Sequence, residues 1–231
     1  MTETAKTGEN TGNKAEIDGF EAARRVLLPK ALEMAPFDGW TATMLAAAAR
    51  EAGISSATLA AAFPQGARDL IRYWSETSDA EMRRAMDAPE FSVLKVRQKV
   101  AFAVCARLDV LRPHKEAARR AAAYLALPQN AALAARLAWA SADAIWRGLG
   151  DKSTDFNFYS KRGILTGVWT SVFVYWLGDD TEGEAPTKAF LDARIDNVMQ
   201  IEKVKAKVRD LGGDPAAPIG WLAKLRYPAG R

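Results

Sequence analysis

A single histidine, His114, and a single cysteine, Cys105, bound the chemistry open to this chain of 231 residues. A di-iron carboxylate site in a helical bundle needs a Glu-x-x-His motif from each of two helices, and zinc sites draw on several His or Cys ligands, so neither set can be assembled. A Ser or Cys triad would have to rest on His114, which follows Pro113 at a predicted helix start, and no nucleophile elbow or Gly-rich phosphate loop accompanies it. His114 therefore reads as an exposed helix-start residue, and the expectation is a protein with no catalytic residue, no metal and no cofactor. Cys105 lies among Ala, Phe and Val and reads as a small buried hydrophobe. It can form no intramolecular disulfide, which points to a reducing compartment.

What remains is binding chemistry, and one segment stands out for it. Gly163 to Leu177 reads Gly-Ile-Leu-Thr-Gly-Val-Trp-Thr-Ser-Val-Phe-Val-Tyr-Trp-Leu, without a charge. Its fifteen residues fall short of the roughly 20 that span a bilayer. Apolar on nearly every face, it is expected to be the central buried helix of a bundle. Gly163 and Gly167 leave room for either a neighbouring helix or a ligand to approach the backbone. In the ligand reading, Leu165, Val168, Trp169, Val172 and Phe173 wall an apolar cavity. Just upstream, Asp155 can cap this helix by accepting its first amide protons. Phe158 and Tyr159 beside Lys161 and Arg162 suit a protein partner, because aromatic and Arg side chains concentrate binding energy in interfaces.

The elements that must position these residues are helical throughout. Ala- and Leu-bearing stretches recur at helical spacing from 17 to 210, while alternating β-branched runs are almost absent. The fold class is all-α, with helices predicted at about 17–35, 41–52, 55–62, 66–87, 92–111, 114–127, 129–149, 157–177 and 184–210. Pro36 with Gly39, Gly53, Pro64 with Gly66, Pro89, Pro113, Pro128, Gly148 and Gly150 supply the breaks. The domain reading is a disordered tail over 1–16, a helix-turn-helix-like module over 17–75, a helical bundle over 76–211 and an amphipathic tail over 212–231. Met1 to Glu16 lack the apolar or Arg-rich pattern of a leader. A bacterial, cytoplasmic protein with peripheral membrane association is the resulting expectation.

Charge sharpens the choice of partner. The whole basic excess of +4 lies in 188–231, which holds nine basic and five acidic residues, and such an end is drawn to anionic surfaces. The stretch Gly39-Trp40-Thr41, Ala48, Ala52-Gly53-Ile54-Ser55, Ala57-Thr58-Leu59 and Phe63 resembles the N-terminal module of TetR-type regulators, which continue into a helical ligand-binding bundle. Residues 55–67 carry none of the Arg, Lys, Tyr or Asn side chains that reach phosphates and bases, and residues 17–75 balance at six basic and six acidic. The module reads as a retained scaffold without specific DNA binding. The alternative is a ligand-responsive repressor of the TetR type.

A second resemblance is denser. Leu127-Pro128-Gln129-Asn130, Asp143-Ala144-Ile145-Trp146, Gly150-Asp151, Ser153-Thr154-Asp155-Phe156-Asn157, Tyr159, Lys161-Arg162 and Phe190-Leu191-Asp192-Ala193-Arg194-Ile195 closely resemble the coenzyme Q biosynthesis protein nine family. The match covers about 17–210 and is densest over 124–202. It implies a TetR-like fold that has lost DNA binding, holds an isoprenoid or phospholipid, and presents its lipid to the di-iron demethoxyubiquinone hydroxylase, the partner that carries the iron. It also implies a hydroxylase-binding patch whose positions match Asp143, Trp146, Asp155, Tyr159 and Arg162, with Phe158 where eukaryotic members commonly have Trp and Ile145 at a Met position. Members end in an amphipathic helix that touches membrane. Here Ile219, Trp221, Leu222 and Leu225, with Lys224 and Arg226, are the candidates. Homodimerisation stays open.

Overall fold

The computed structural model describes the backbone of residues 5–152 and 156–210, and side-chain burial over 19–152 and 158–198. All regular structure in the described residues is helical. Helix α1 runs Ala5–Asp38, α2 Ala42–Glu51, α3 Ser56–Ala62, α4 Ala67–Met86, α5 Pro89–Ser92, α6 Val96–Leu111, α7 Lys115–Leu125, α8 Ala131–Gly148, α9 Phe156–Leu177 and α10 Ala185–Asp210. Short 3-10 turns precede α7, α8 and α10.

Helix α1 departs from expectation at both ends. It starts at Ala5, so most of the stretch read as a disordered tail continues the helix, because adding a turn to a formed helix is far cheaper than nucleating one. It also runs through Pro36 to Asp38. The break falls instead at Gly39, whose φ of 67° is the left-handed conformation that stops a helix, while its amide donates to Ala35 O at 3.0 Å.

The helix-turn-helix follows from its caps. The Thr41 side chain accepts from the Met44 amide to start α2, and Ser55 accepts from the Thr58 amide to start α3. Gly53, at φ 67°, makes the turn between them. Met44, Leu45, Ala48 and Ala49 bury one face of α2 against α1. On α3, Ala57, Ala60 and Ala61 face outward.

Trp40 welds this module to the bundle. It is buried, stacks on Trp74 of α4 at 5.7 Å between ring centroids, and donates Nε1 to Ala117 O of α7 at 3.1 Å. Helix α4 crosses the module boundary read at residue 75 without interruption. In the bundle α4 packs on α6 and α8, α8 on α9, and α9 on α10.

Helix α9, uncharged from Gly163 onward, is buried on one side only. Arg162, Leu165, Val168, Trp169, Val172 and Trp176 face inward, whereas Gly163, Gly167, Thr170 and Val174 form an exposed stripe. The expectation of a helix enclosed on every face is corrected. Gly and Thr are uncharged yet lose little by meeting water, so the absence of charge does not require full burial. A Cβ on Gly163 or Gly167 would meet nothing within 4 Å, so no neighbouring helix packs into that space. At the far end of α9, Trp176 donates Nε1 to Glu184 at 2.7 Å, and Asp179 accepts from the Thr187 amide and hydroxyl at 2.9 and 2.6 Å, fixing the start of α10.

Candidate functional site

A cavity of about 260 Å³ lies between α4, α6, α7, α8 and α9. It exists because the facing positions of α7 and α8 are small. Ala118, Ala121 and Ala122 on one side and Ala134 and Ala138 on the other stop well short of filling the gap between the helices. Ile71, Trp74 and Leu111 close its inner end, and exposed Ala126, Thr170 and Val174 border the mouth.

Two of the five residues read as cavity wall are there. Trp169 and Phe173 line it, with ring centroids 5.4 Å apart. Leu165, Val168 and Val172 belong instead to the close-packed core. The helical period explains the split: 169 and 173 share a face with 170 and 174, which take the places expected of 165, 168 and 172.

Polar groups share the buried side of this greasy space with Ile71, Trp74 and Leu111. Arg107 of α6, 4 % exposed, donates Nε to Asp79 Oδ1 at 2.6 Å and Nη2 to Ser75 Oγ at 2.9 Å, and its guanidinium lies 4.5 Å from the Trp169 ring centroid. Ser141 of α8 donates to Asp79 Oδ2 at 3.2 Å. Ser75, Arg107 and Ser141 line the cavity, while Asp79 stands behind them. The sequence reading passed over these residues. A signal existed in the lone arginine within the apolar run Ala101-Phe-Ala-Val-Cys-Ala-Arg107-Leu108.

The described residues read as a partner patch meet at the α8–α9 junction, with Ile145 and Arg162 inside it, Asp143, Trp146 and Phe158 half-buried, and Tyr159 exposed. Ile145 is 0 % exposed and Arg162 1 %. Arg162 Nε donates to Asp143 Oδ1 at 2.5 Å, Nη1 donates to Asp151 Oδ2 at 3.1 Å and to Phe158 O at 3.3 Å, and its guanidinium sits 3.5 Å from the Phe158 ring centroid. Arg147 and Lys161 complete the network on Asp143 and Asp151 at 2.6 and 2.8 Å. Ile145 and Arg162 are thus corrected from surface contacts to structural ones, since a desolvated charge must be paired within the fold. Trp146, half-buried, donates Nε1 to Lys161 O at 3.1 Å. Tyr159 is the open member of the set, 63 % exposed, with its ring near Trp139 and Phe158. Asp155 lies outside the described residues, as do Ile219, Trp221, Leu222, Lys224, Leu225 and Arg226.

His114 is half-buried rather than exposed, and burial lowers its pKa. Burial likewise pushes the Cys105 thiol up. Among the described residues no cluster of His, Cys, Asp and Glu is placed to hold a metal, and no helix is long and apolar enough to cross a membrane.

A helix-turn-helix module sharing one core with a bundle around an apolar cavity defines a TetR-like fold. A TetR transcriptional regulator from Nitrosomonas europaea has this fold, with a TM-score of 0.62 over 75 % of this chain and 95 % of that one at 18 % identity. The sequence then narrows the class. The COQ9 family model matches residues 131–202. The rat mitochondrial ubiquinone biosynthesis protein COQ9 is 30 % identical over 89 % of this chain and 68 % of its own length, the human one 28 % over 89 % and 67 %, and the Drosophila melanogaster one 29 % over 90 % and 65 %. The chain belongs to the COQ9 family of ubiquinone biosynthesis proteins. These relatives are mitochondrial proteins of eukaryotes, which corrects the expectation of a bacterial, cytoplasmic protein. A lone cysteine forms no intramolecular disulfide in any compartment and so could not decide between them.

Proposed function

We propose that this chain is a non-catalytic accessory protein of ubiquinone biosynthesis that holds an isoprenoid quinone precursor in the α4–α9 cavity and hands it to a partner di-iron demethoxyubiquinone hydroxylase. The cavity carries this reading. Its walls are largely Ala, Leu, Trp and Phe side chains, an apolar surface that a bound apolar molecule would remove from water. A bound isoprenoid or phospholipid serves equally as the filler. The partner surface centres on Tyr159, held by the Arg162 network beneath it.

The module does not read DNA: the outward face of α3 offers the methyl groups of Ala57, Ala60 and Ala61 and a single hydroxyl, Ser56, with no Arg, Lys, Asn or Gln to reach a base edge. The tail at 217–227 adds a weak, salt-sensitive contact with anionic membrane. Native mass spectrometry of freshly purified protein, followed by extraction of what it carries, tests the central statement. A co-purifying lipid is expected in one-to-one ratio; repeated recovery of lipid-free protein refutes the carrier reading.

A further inference from the structure

We infer that Arg107, backed by Asp79, is a specificity-determining group that takes the oxygen of an uncharged polar ring head, so that a ligand enters the cavity head first and its tail leaves through the mouth at Thr170 and Val174. The inference deepens the carrier reading and rests on it.

Three observations carry it. The first is placement. In a space walled mostly by apolar side chains, the charged Arg107 and the hydroxyl of Ser141 lie on the buried side, beside Ile71, Trp74 and Leu111, while the mouth is formed by exposed Ala126, Thr170 and Val174. The second is donor capacity. A guanidinium carries five N–H groups. Arg107 uses Nε on Asp79 and Nη2 on Ser75, and among the described residues Nη1 has no hydrogen-bond partner. Nη1 is not sealed from water and Arg107 lines the cavity, so this donor is open to an entering partner, and a bond from a charged donor is stronger in that low-dielectric space than at a surface. The third is charge. Asp79 neutralises Arg107 from behind at 2.6 Å and accepts a further bond from Ser141, so the cavity meets the donor side of an ion pair with no net charge. A carboxylate brought into that site would lose its hydration without an uncompensated cation to meet it. A neutral carbonyl, phenol or ether oxygen loses far less.

Size agrees with this orientation. The cavity holds about 260 Å³, at the low end of ligand pockets. That accommodates a substituted ring and the first carbons of a chain, and a long isoprenoid must continue outside. Trp169, already stacked under the guanidinium, supplies a flat apolar surface for a ring at the same end.

The experiment is isothermal titration of the full-length protein, stripped of co-purifying lipid, with three probes sharing one decyl chain: a dimethoxybenzoquinone, a plain benzene and a carboxylic acid at neutral pH. The quinone is expected to bind at least about tenfold more tightly than either of the others, the worth of one charge-assisted hydrogen bond. In Arg107→Met/Asp79→Leu, which removes both charges together and so spares the fold a lone buried ion, quinone and benzene should bind alike. Equal binding of quinone and benzene by the unaltered protein overturns the head-first assignment and leaves the carrier reading standing. Tightest binding by the acid overturns it too, in favour of a fatty-acid site. Persistence of the quinone preference in the folded double variant removes Arg107 from the role. Failure of all three probes to bind overturns the carrier reading itself.

Discussion

Replacing Arg162 with alanine should unfold the α8–α9 junction rather than strip a binding surface. The guanidinium is buried and bridges Asp143 and Asp151 at 2.5 and 3.1 Å while covering the Phe158 ring. Its removal leaves two largely desolvated carboxylates facing each other across a cavity. Breaking a buried pair from one side costs about 3–5 kcal/mol. Arg147 still reaches Asp143 and Lys161 still reaches Asp151, which limits the loss to about 2–4 kcal/mol. For a domain of this size each kcal/mol shifts Tm by about 2–4 °C, so a fall of about 4–16 °C is expected. Tyr159→Ala makes the matched control. Its ring is exposed and lies beside those of Trp139 and Phe158, so melting should change by less than about 2 °C, within about 0.5 kcal/mol. The same substitution should weaken binding of a purified hydroxylase by about 1–3 kcal/mol, the range of an interfacial aromatic anchor. Far-UV circular dichroism melts and pull-down titrations of both variants read the two effects separately. If Arg162→Ala melts with the unaltered protein yet loses the partner, the buried assignment is wrong; if Tyr159→Ala keeps full partner affinity, the surface reading is.

Narrowing the cavity with Ala138→Phe should abolish co-purifying lipid while leaving Tm unchanged or raised, as seen by mass spectrometry and melting; retained lipid would place the ligand elsewhere. Hydrogen bonds from Thr181 and Thr187 hold the Asp179 carboxyl well below the usual carboxylate range. Its stabilisation is therefore complete above the unfolded pKa near 4 and fades as pH falls below that value. Asp179→Asn should lower Tm at neutral pH, and the gap to the unaltered protein should close in acid; a gap that is constant with pH would show that the charge is not what matters. Mobility-shift titrations with random and promoter duplexes should give no sequence-specific complex even at low salt, and a salt-resistant footprint would restore the repressor alternative. Truncation at Asp214 should reduce flotation with anionic vesicles, with the difference vanishing as salt is added; equal flotation of both proteins would remove the tail from the mechanism.

The helix-turn-helix was legible because its signals are local. Thr41, Ser55 and Gly53 cap and turn the chain within a few residues of where they act. The cavity was not, because its walls come from five helices and depend on which alanines face each other, and Ala118 and Ala138 look like any others in an alanine-rich chain. The helix α9 shows the boundary between the two cases. Its existence follows from composition, but the lining face follows from packing, and so Trp169 and Phe173 were found while Thr170 and Val174 were missed. Arg162 was singled out for the right reason, a charge beside aromatics, and given the wrong neighbour. A sequence shows that Asp143 is available to it, but not that both have left the water.

The stacking of Trp40 on Trp74, with its hydrogen bond to Ala117, bears on how this architecture can diverge. Trp74 lines the cavity, and Ala117 adjoins the lining residue Ala118. The helix-turn-helix module is therefore inseparable from the bundle, because removing it would strip Trp40 from Trp74 and lay open a wall of the cavity. Packing against that wall constrains the module's inward face, whereas the outward Ala57, Ala60 and Ala61 of α3 are under no such constraint. A chain cut between module and bundle would divide one core and would not yield two folded halves.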